Sequence, residues 1–274
     1  MDESSLQWVV AQRGKQTTAY ANIAGFALLV YDYYLTIDQE VDLVWTRRWD
    51  LVQVVFMLAR YLPFPAIALT VVRVLETVRN GPCPNLEGSN VSHLLSILLA
   101  EILLILRTLA FWEGSKRMAW ALTIFALFCL GGAVGFTQLA FIKVPGIAKL
   151  PLSQCEYRFN PGGAVQYGVL LFHEIVILCV ILYRWFTYHH RARSRVVVIS
   201  YIDAVLYICA VICLSVASIV TITTQPPYHT DYFDNLQVVG HTIFCTRTFF
   251  HLRKSAQYIS RRVTTETSLE DLTV

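Results

Sequence analysis

Nine ionisable side chains interrupt apolar runs in this chain: Asp32, Arg60, Glu101, Arg107, His173, Glu174, Asp203, His241 and Arg247. A charge surrounded by hydrocarbon is costly, so such a residue pairs, faces the inside of a helix bundle, or lines a water-filled path. With a helical rise of 1.5 Å per residue, Asp32, Arg107, Asp203 and Arg247 fall roughly 7–10 Å from one end of their apolar segments, and Arg60 and Glu101 fall nearer the middle. The signs alternate: two acids and two arginines share the shallow layer, and one of each sits deeper. The pattern predicts an intramembrane polar network of Asp32, Arg60, Glu101, Arg107, Asp203 and Arg247 on one half of the bundle. In it Arg60 reaches Glu101, or snorkels toward Asp32. Two roles suit such a network: fixing helix register, or re-pairing between two states as a gate. His173 and Glu174 are neighbours in sequence and point about 100° apart on a helix. Separate polar contacts are therefore expected of them rather than a ready-made metal or proton-relay pair.

Other chemistry is sparse. Of seven cysteines, Cys129, Cys179, Cys209, Cys213 and Cys245 lie in apolar segments and read as small packing residues. Cys83 and Cys155 lie between segments and form a candidate disulfide on an oxidising face. No CxxC pair and no zinc-ligand spacing is present, and there is no histidine box, GxSxG or P-loop. The expectation is a protein that is not an enzyme and carries no cofactor. A retinal protein is disfavoured too, because the last segment has no lysine for a Schiff base. Asn90-Val91-Ser92 is a glycosylation sequon that abuts an apolar segment.

The elements that position these residues follow from composition. Of 274 residues, 55% are hydrophobic and only 15% charged, and mean hydropathy is +0.51. A soluble domain carries about 25% charged residues, and here the charges cluster between long apolar runs. That is the pattern of a polytopic helical membrane protein. Seven stretches suffice to cross a bilayer, at 19–37, 50–72, 91–112, 118–142, 165–186, 196–224 and 233–252. The seventh, with His241, Arg247 and His251, is the weakest, and six spans is the competing count. The expected fold is all-α, a single seven-helix transmembrane bundle over 1–252, followed by a cytosolic, disordered tail at 253–274. Twelve Lys and Arg residues flank one side and seven the other, with three inside segments. By the positive-inside rule the N-terminus lies outside and the C-terminus in the cytosol. Pro63 and Pro65, outward of Arg60, remove backbone donors and predict a helix kink that opens a pocket. Gly131 and Gly135 form a small-xxx-small face suited to close helix packing. Trp45 and Trp49, beside Arg47 and Arg48, suit interfacial anchoring. A net charge of +3 without an aromatic-interleaved basic patch excludes nucleic acid as a partner.

The segment YANIAGFALLVYDYYLTIDQEVDLVWTRRWDLVQVVFMLARYLPF resembles the N-terminal module, here 19–64, of a family of fungal (basidiomycete) multi-pass membrane proteins known only as a domain of unknown function. The resemblance rests on Tyr31-Asp32-Tyr33, Thr36, Asp38, Glu40, Trp45, Arg60-Tyr61 and Pro63. LRTLAFW at 106–112 and TRTFFHLR at 246–253 fit the same family, with His251 where it has Asn. The family has no assigned activity, so the resemblance implies spans and no chemistry. Two functions stay open. A receptor-like seven-helix sensing or signalling protein is favoured by the orientation, the outer cysteines and the basic fifth loop, although the chain lacks an Asp/Glu-Arg-Tyr or NPxxY signature. A small-solute or ion transporter or channel is favoured by the buried charges and the prolines, although no internal repeat is evident. The partners expected are the lipid bilayer, an unknown ligand or solute, and a cytosolic protein at the basic fifth loop and tail. The plasma membrane or another secretory-pathway membrane is the expected location.

Overall fold

The structure, a computed structural model, describes residues 3–46, 49–79, 87–143, 161–189, 195–224 and 233–270. Among these the regular structure is helical throughout. In chain order the helices are α1 (Glu3–Glu40), continued by a π-helical turn at Val41–Trp45, α2 (Leu51–Tyr61), α3 (Pro63–Arg79), α4 (Glu87–Phe111), α5 (Lys116–Lys143), α6 (Pro161–Arg184), continued by a π-helical turn at Trp185–His189, α7 (Arg195–Thr224) and α8 (Asp234–Glu270).

Local sequence explains the boundaries that matter. Asp50 starts α2 as an N-cap: its carboxylate accepts from the Gln53 amide at 2.7 Å, and the Gln53 side chain accepts from the Asp50 amide at 3.0 Å. This reciprocal pair satisfies two of the donors that a helix start leaves open. α2 and α3 are one rod interrupted at Leu62, where Pro63 and Pro65 have no N–H to offer the carbonyls of Ala59 and Tyr61. Pro63 then opens α3, a position where its missing donor costs nothing. The recess beside this interruption is water-sized and lined by Leu29, Asp32, Tyr33, Arg60, Phe64, Thr242 and Thr246. α4 turns into α5 through Glu113 and Gly114, both at positive φ (54° and 69°).

Each rod packs on the next, α8 returns to α1, and α4 also lies against α6 and α8. The bundle is inverted relative to a soluble protein. Its interior holds Asn22, Asp32, Glu40, Arg60, Glu101, His173, Glu174, Gln237 and His241, all buried, beside Ile177, Ile181, Ile208 and Val239. Its outer faces carry Leu, Ile, Val and Phe, as on α5, where Trp120, Ile124, Leu127 and Phe128 all point outward. Apolar side chains facing out and polar ones facing in suit hydrocarbon as the solvent, where burying apolar surface gains little and polar contacts hold helices together. Among the described residues, five segments are long and apolar enough to cross a membrane: Leu51–Arg79, Val91–Phe111, Lys116–Phe136, Gly163–Thr187 and Val198–Thr224. The chain is an integral membrane protein.

Three expectations change. Of the tail expected from 253 onward, residues 253–270 are described and are helical, because α8 continues to Glu270. A helix already nucleated by packing propagates cheaply where no proline or glycine stops it, and none lies between His241 and Glu270. The first rod begins at Glu3, well before the start read from hydropathy, and runs on past its end to Glu40. Gly131 and Gly135 do not seat another helix among the described residues: a Cβ at either would meet nothing within 4 Å. The close approach is at Gly240 on α8, where a Cβ would come within 2.7 Å of the Leu214 side chain on α7.

Candidate functional site

Two polar regions stand out, and the first is a closed knot around Glu40. This residue ends α1 fully buried, so its carboxylate needs several donors at once. Arg60 supplies Nε at 2.6 Å, Tyr61 donates its hydroxyl at 2.8 Å, and Trp45 donates its indole N–H at 3.0 Å. The π-helical turn brings Trp45 back over Glu40. Arg60 also donates through Nη2 to Thr36 at 2.9 Å, and its guanidinium lies over the rings of Tyr33 and Phe250. The Thr36 hydroxyl in turn donates to the Asp32 carbonyl at 2.7 Å. Arg60 was expected to reach Glu101 or to snorkel toward Asp32. Glu40 takes it instead, because helix α1 runs on past the apolar stretch and delivers a carboxylate to the base of α2.

The rest of the expected network resolves into separate contacts at the same end of the bundle. Arg247 on α8 donates through Nε to the Asp32 carboxylate at 2.7 Å. Asp203 meets His251 at 3.2 Å. Arg107 makes no direct ion pair with a carboxylate among the described residues; it donates to the Ser200 carbonyl on α7 at 2.8 Å and lies against the Phe111 ring. Arg184 closes the α4–α5 turn, donating to the Phe111 carbonyl at 3.1 Å and to Glu113 at 2.8 Å, with Trp112 beneath it. Thus Arg60, Asp32 and Arg247 are linked through Thr36, Arg107 and Asp203 make contacts of their own, and Glu101 belongs elsewhere.

Glu101 belongs to the second region, a centre midway along the bundle between α4, α6, α7 and α8. His173 Nδ1 on α6 is 2.9 Å from Glu101 Oε2, and His241 Nδ1 on α8 is 3.8 Å from Glu101 Oε1. His241 Nε2 lies 3.5 Å from Glu174 Oε1. The Ser215 hydroxyl lies 3.1 and 3.0 Å from the two Glu174 oxygens, and Gln237 Nε2 donates to Ser215 at 2.8 Å. Ser218 then donates to the Gln237 side-chain carbonyl at 3.2 Å. Tyr207 OH lies 3.3 Å from His241 Nδ1, and the His173 ring stacks on Phe125. His173, Glu174 and His241 are fully or almost fully buried, as is Glu101. One oxygen or nitrogen from each of Glu101, Glu174 and His241 falls within 4.8 Å of the others.

Sequence reading listed His173, Glu174 and His241 among the buried ionisable groups but did not join them. Adjacent residues on α6 do diverge, yet His173 turns to α4 and Glu174 to α7 and α8, and the two routes converge on His241. Glu40 was missed because it lies outside the apolar run. Ser215, Ser218 and Gln237 were missed as single polar residues in apolar surroundings, and so were two further contacts between helices, Asn235 donating to Asn22 and Thr70 with His93 at 2.8 Å. Cys129 and Cys245 are buried, Cys179, Cys209 and Cys213 face outward, and all five are free. Cys83 and Cys155 lie outside the described residues.

No curated protein and no solved structure matches the chain. Residues 20–65 match DUF6533, a family of unknown function. The matched segment contains Tyr33, Thr36, Glu40, Trp45, Arg60 and Tyr61, the residues that tie the Glu40 knot.

Proposed function

We propose that the chain is a receptor-like sensing protein of seven spans, with the N-terminus outside and the C-terminus cytosolic. The observation that supports this is a shared pair of helices. Glu101 and Arg107 stand about 9 Å apart along α4 by helical rise, and His241 and Arg247 stand the same distance apart along α8. A change at the buried centre therefore reaches the ionic end of the bundle through two rigid rods. Allosteric coupling needs two distinct sites and an element that both bias, and α8 contacts both, through His241 and Arg247. The cytosolic partner in this reading meets the basic segment at 190–194 and the end of α8. The membrane is the plasma membrane or another of the secretory pathway, and the protein catalyses no reaction. The fungal multi-pass family resembled by the N-terminal module suits the same reading.

The experiment compares amide hydrogen exchange of wild type and Glu101→Gln in nanodiscs. A sensing protein changes protection in the peptides covering 31–45 and 247–253, remote from the substitution. A change confined to peptides touching Glu101 overturns the reading. Epitope tags at both termini, probed in sealed vesicles, test the orientation.

The second reading is transport of protons or small cations. It is favoured by the unbroken run of polar groups from His173 through Glu101, His241, Glu174, Ser215 and Gln237 to Ser218. Proteoliposomes under an imposed ion gradient separate the two: flux above that of empty vesicles, lost in Glu101→Gln, selects transport.

A further inference from the structure

We infer that Glu101, Glu174 and His241 form a binding site for a divalent transition-metal cation, of which zinc is the best match. This names the ligand of the sensing centre and rests on that reading for its consequence, but binding is measurable without it.

Charge is the first argument. Glu101 and Glu174 are two carboxylates buried in the middle of the bundle. Buried carboxylates need compensation. Arg60, Arg247 and Arg184 are engaged by Glu40, Asp32 and Glu113, and the groups facing the two acids among the described residues are the imidazoles of His173 and His241, which are neutral in their ordinary form at physiological pH. One divalent cation held by both acids and His241 neutralises both carboxylate charges. Both Glu101 oxygens and His241 Nε2 are buried and have no hydrogen bond of ordinary geometry among the described residues. One ligand atom of each of Glu101, Glu174 and His241 lies within 4.8 Å of the others.

Geometry is the second argument. His241 Nε2 and Glu174 Oε1 are 3.5 Å apart, close to the roughly 3.3 Å that separates two ligands of a tetrahedral zinc with bonds of about 2.0–2.1 Å. Each ligand also has a partner that aims it, as in established metal sites. His173 Nδ1 sits 2.9 Å from the far oxygen of Glu101. Ser215 hydrogen-bonds Glu174. Tyr207 OH meets His241 Nδ1 at 3.3 Å; with the hydroxyl accepting from Nδ1–H, the Nε2 lone pair is left for a cation. One imidazole and two carboxylates make a borderline donor set that suits Zn²⁺, Mn²⁺ or Fe²⁺ over soft ions, and the imidazole argues against Ca²⁺ and Mg²⁺.

The test uses the full chain in detergent, stripped with chelator and incubated with Co²⁺, then Zn²⁺. Wild type is expected to retain one Co²⁺ per chain after desalting, with visible absorption of a low-symmetry site, and to release it to Zn²⁺. Glu174→Gln and His241→Gln each weaken Co²⁺ binding at least 100-fold; His173→Gln and Tyr207→Phe weaken it about 10–100-fold, as loss of an aiming partner does. Asp203→Asn, remote from the centre, binds as wild type. X-ray absorption at the zinc edge of the loaded wild type needs no variant: it shows nitrogen and oxygen scatterers with at least one imidazole and no sulfur. Absence of Co²⁺ and Zn²⁺ from wild type at millimolar supply overturns the site. So does a sulfur-containing shell, or equal binding by Glu174→Gln and His241→Gln. Binding that leaves exchange at 31–45 and 247–253 unchanged keeps the cation and removes sensing. Coupling without binding does the reverse.

Discussion

The Glu40 knot and the Glu101–Glu174–His241 centre are both buried clusters of acids with nitrogen partners, and they are built on opposite terms. At Glu40 a single carboxylate faces a guanidinium, a phenol and an indole: Oε2 is paired with Arg60, so the charge is compensated, and Oε1 accepts from Tyr61 and Trp45. Arginine stays protonated at any physiological pH, which fixes one charge state and one geometry. At the centre two carboxylates face two imidazoles and a serine, with no guanidinium. Histidine is the side chain whose ordinary titration lies near neutrality, and neutral imidazole is a metal ligand. The first cluster is made to stay as it is; the second is made to accept something. On the same terms as the knot, Arg247 and Arg253 meet the carboxylates of Asp32 and Asp50.

The largest effect expected from this contrast is at the knot. Arg60→Met leaves Glu40 buried with only neutral donors, and breaking a buried pair in this way costs about 3–5 kcal/mol. Thermal or denaturant unfolding in detergent reads it directly. The double variant Arg60→Met, Glu40→Met recovers most of the loss, because both charges leave together. A single variant that costs less than about 1 kcal/mol would mean that Glu40 is not held by Arg60, and the contrast would lose its first member.

A middle-sized effect separates the α4–α5 turn from the knot. Arg184→Gln removes a charged donor from the Phe111 carbonyl and from Glu113. A hydrogen bond from a charged group contributes about 1.5–3 kcal/mol, while the exposed Glu113 partner adds roughly 0–1 kcal/mol. Glu113→Ala therefore costs much less than Arg184→Gln in the same unfolding assay. Equal costs would place the stabilisation in the ion pair rather than in the closing of the α4–α5 turn.

Hydropathy made the apolar segments and the buried ionisable residues legible, because a charge stands out against hydrocarbon at the level of a single position. Partner choice was not legible. It depends on which way a helix face turns and on where a helix ends, and neither is a property of local composition. Glu40 looks like a loop acid until α1 is seen to run through it. Arg107 looks like an ion-pair partner until α7 presents the Ser200 carbonyl first. The centre was half legible: each of Glu101, His173, Glu174 and His241 was visible, but adjacency along α6 misled, since divergent side chains on one helix converge once three other helices surround them. The helical course of 253–270 was hidden for the opposite reason, as a polar segment inherits its helix from the packed α8 before it.

The smallest stability effect is the most telling. Glu101→Gln and Glu174→Gln each replace a buried carboxylate that lacks a guanidinium by an amide of the same shape, which can still bond the neighbouring imidazole or serine. Removing an uncompensated charge lowers the cost of burial while losing one charge-assisted contact, and these effects oppose each other. The stability of either variant should stay within about 1 kcal/mol of wild type, inside the range of an ordinary substitution and well below the cost at Arg60. Zinc then separates wild type from the variants. A ligand that binds only the folded state stabilises it by about 2.7 kcal/mol at a hundred times its dissociation constant, so wild type gains on adding Zn²⁺ and neither glutamine variant does. Unfolding in detergent with and without Zn²⁺ measures both quantities in one experiment. If instead Glu101→Gln costs as much as Arg60→Met and Zn²⁺ changes nothing, the two clusters are structural pairs of one kind, and the distinction between a region that holds and a region that accepts disappears.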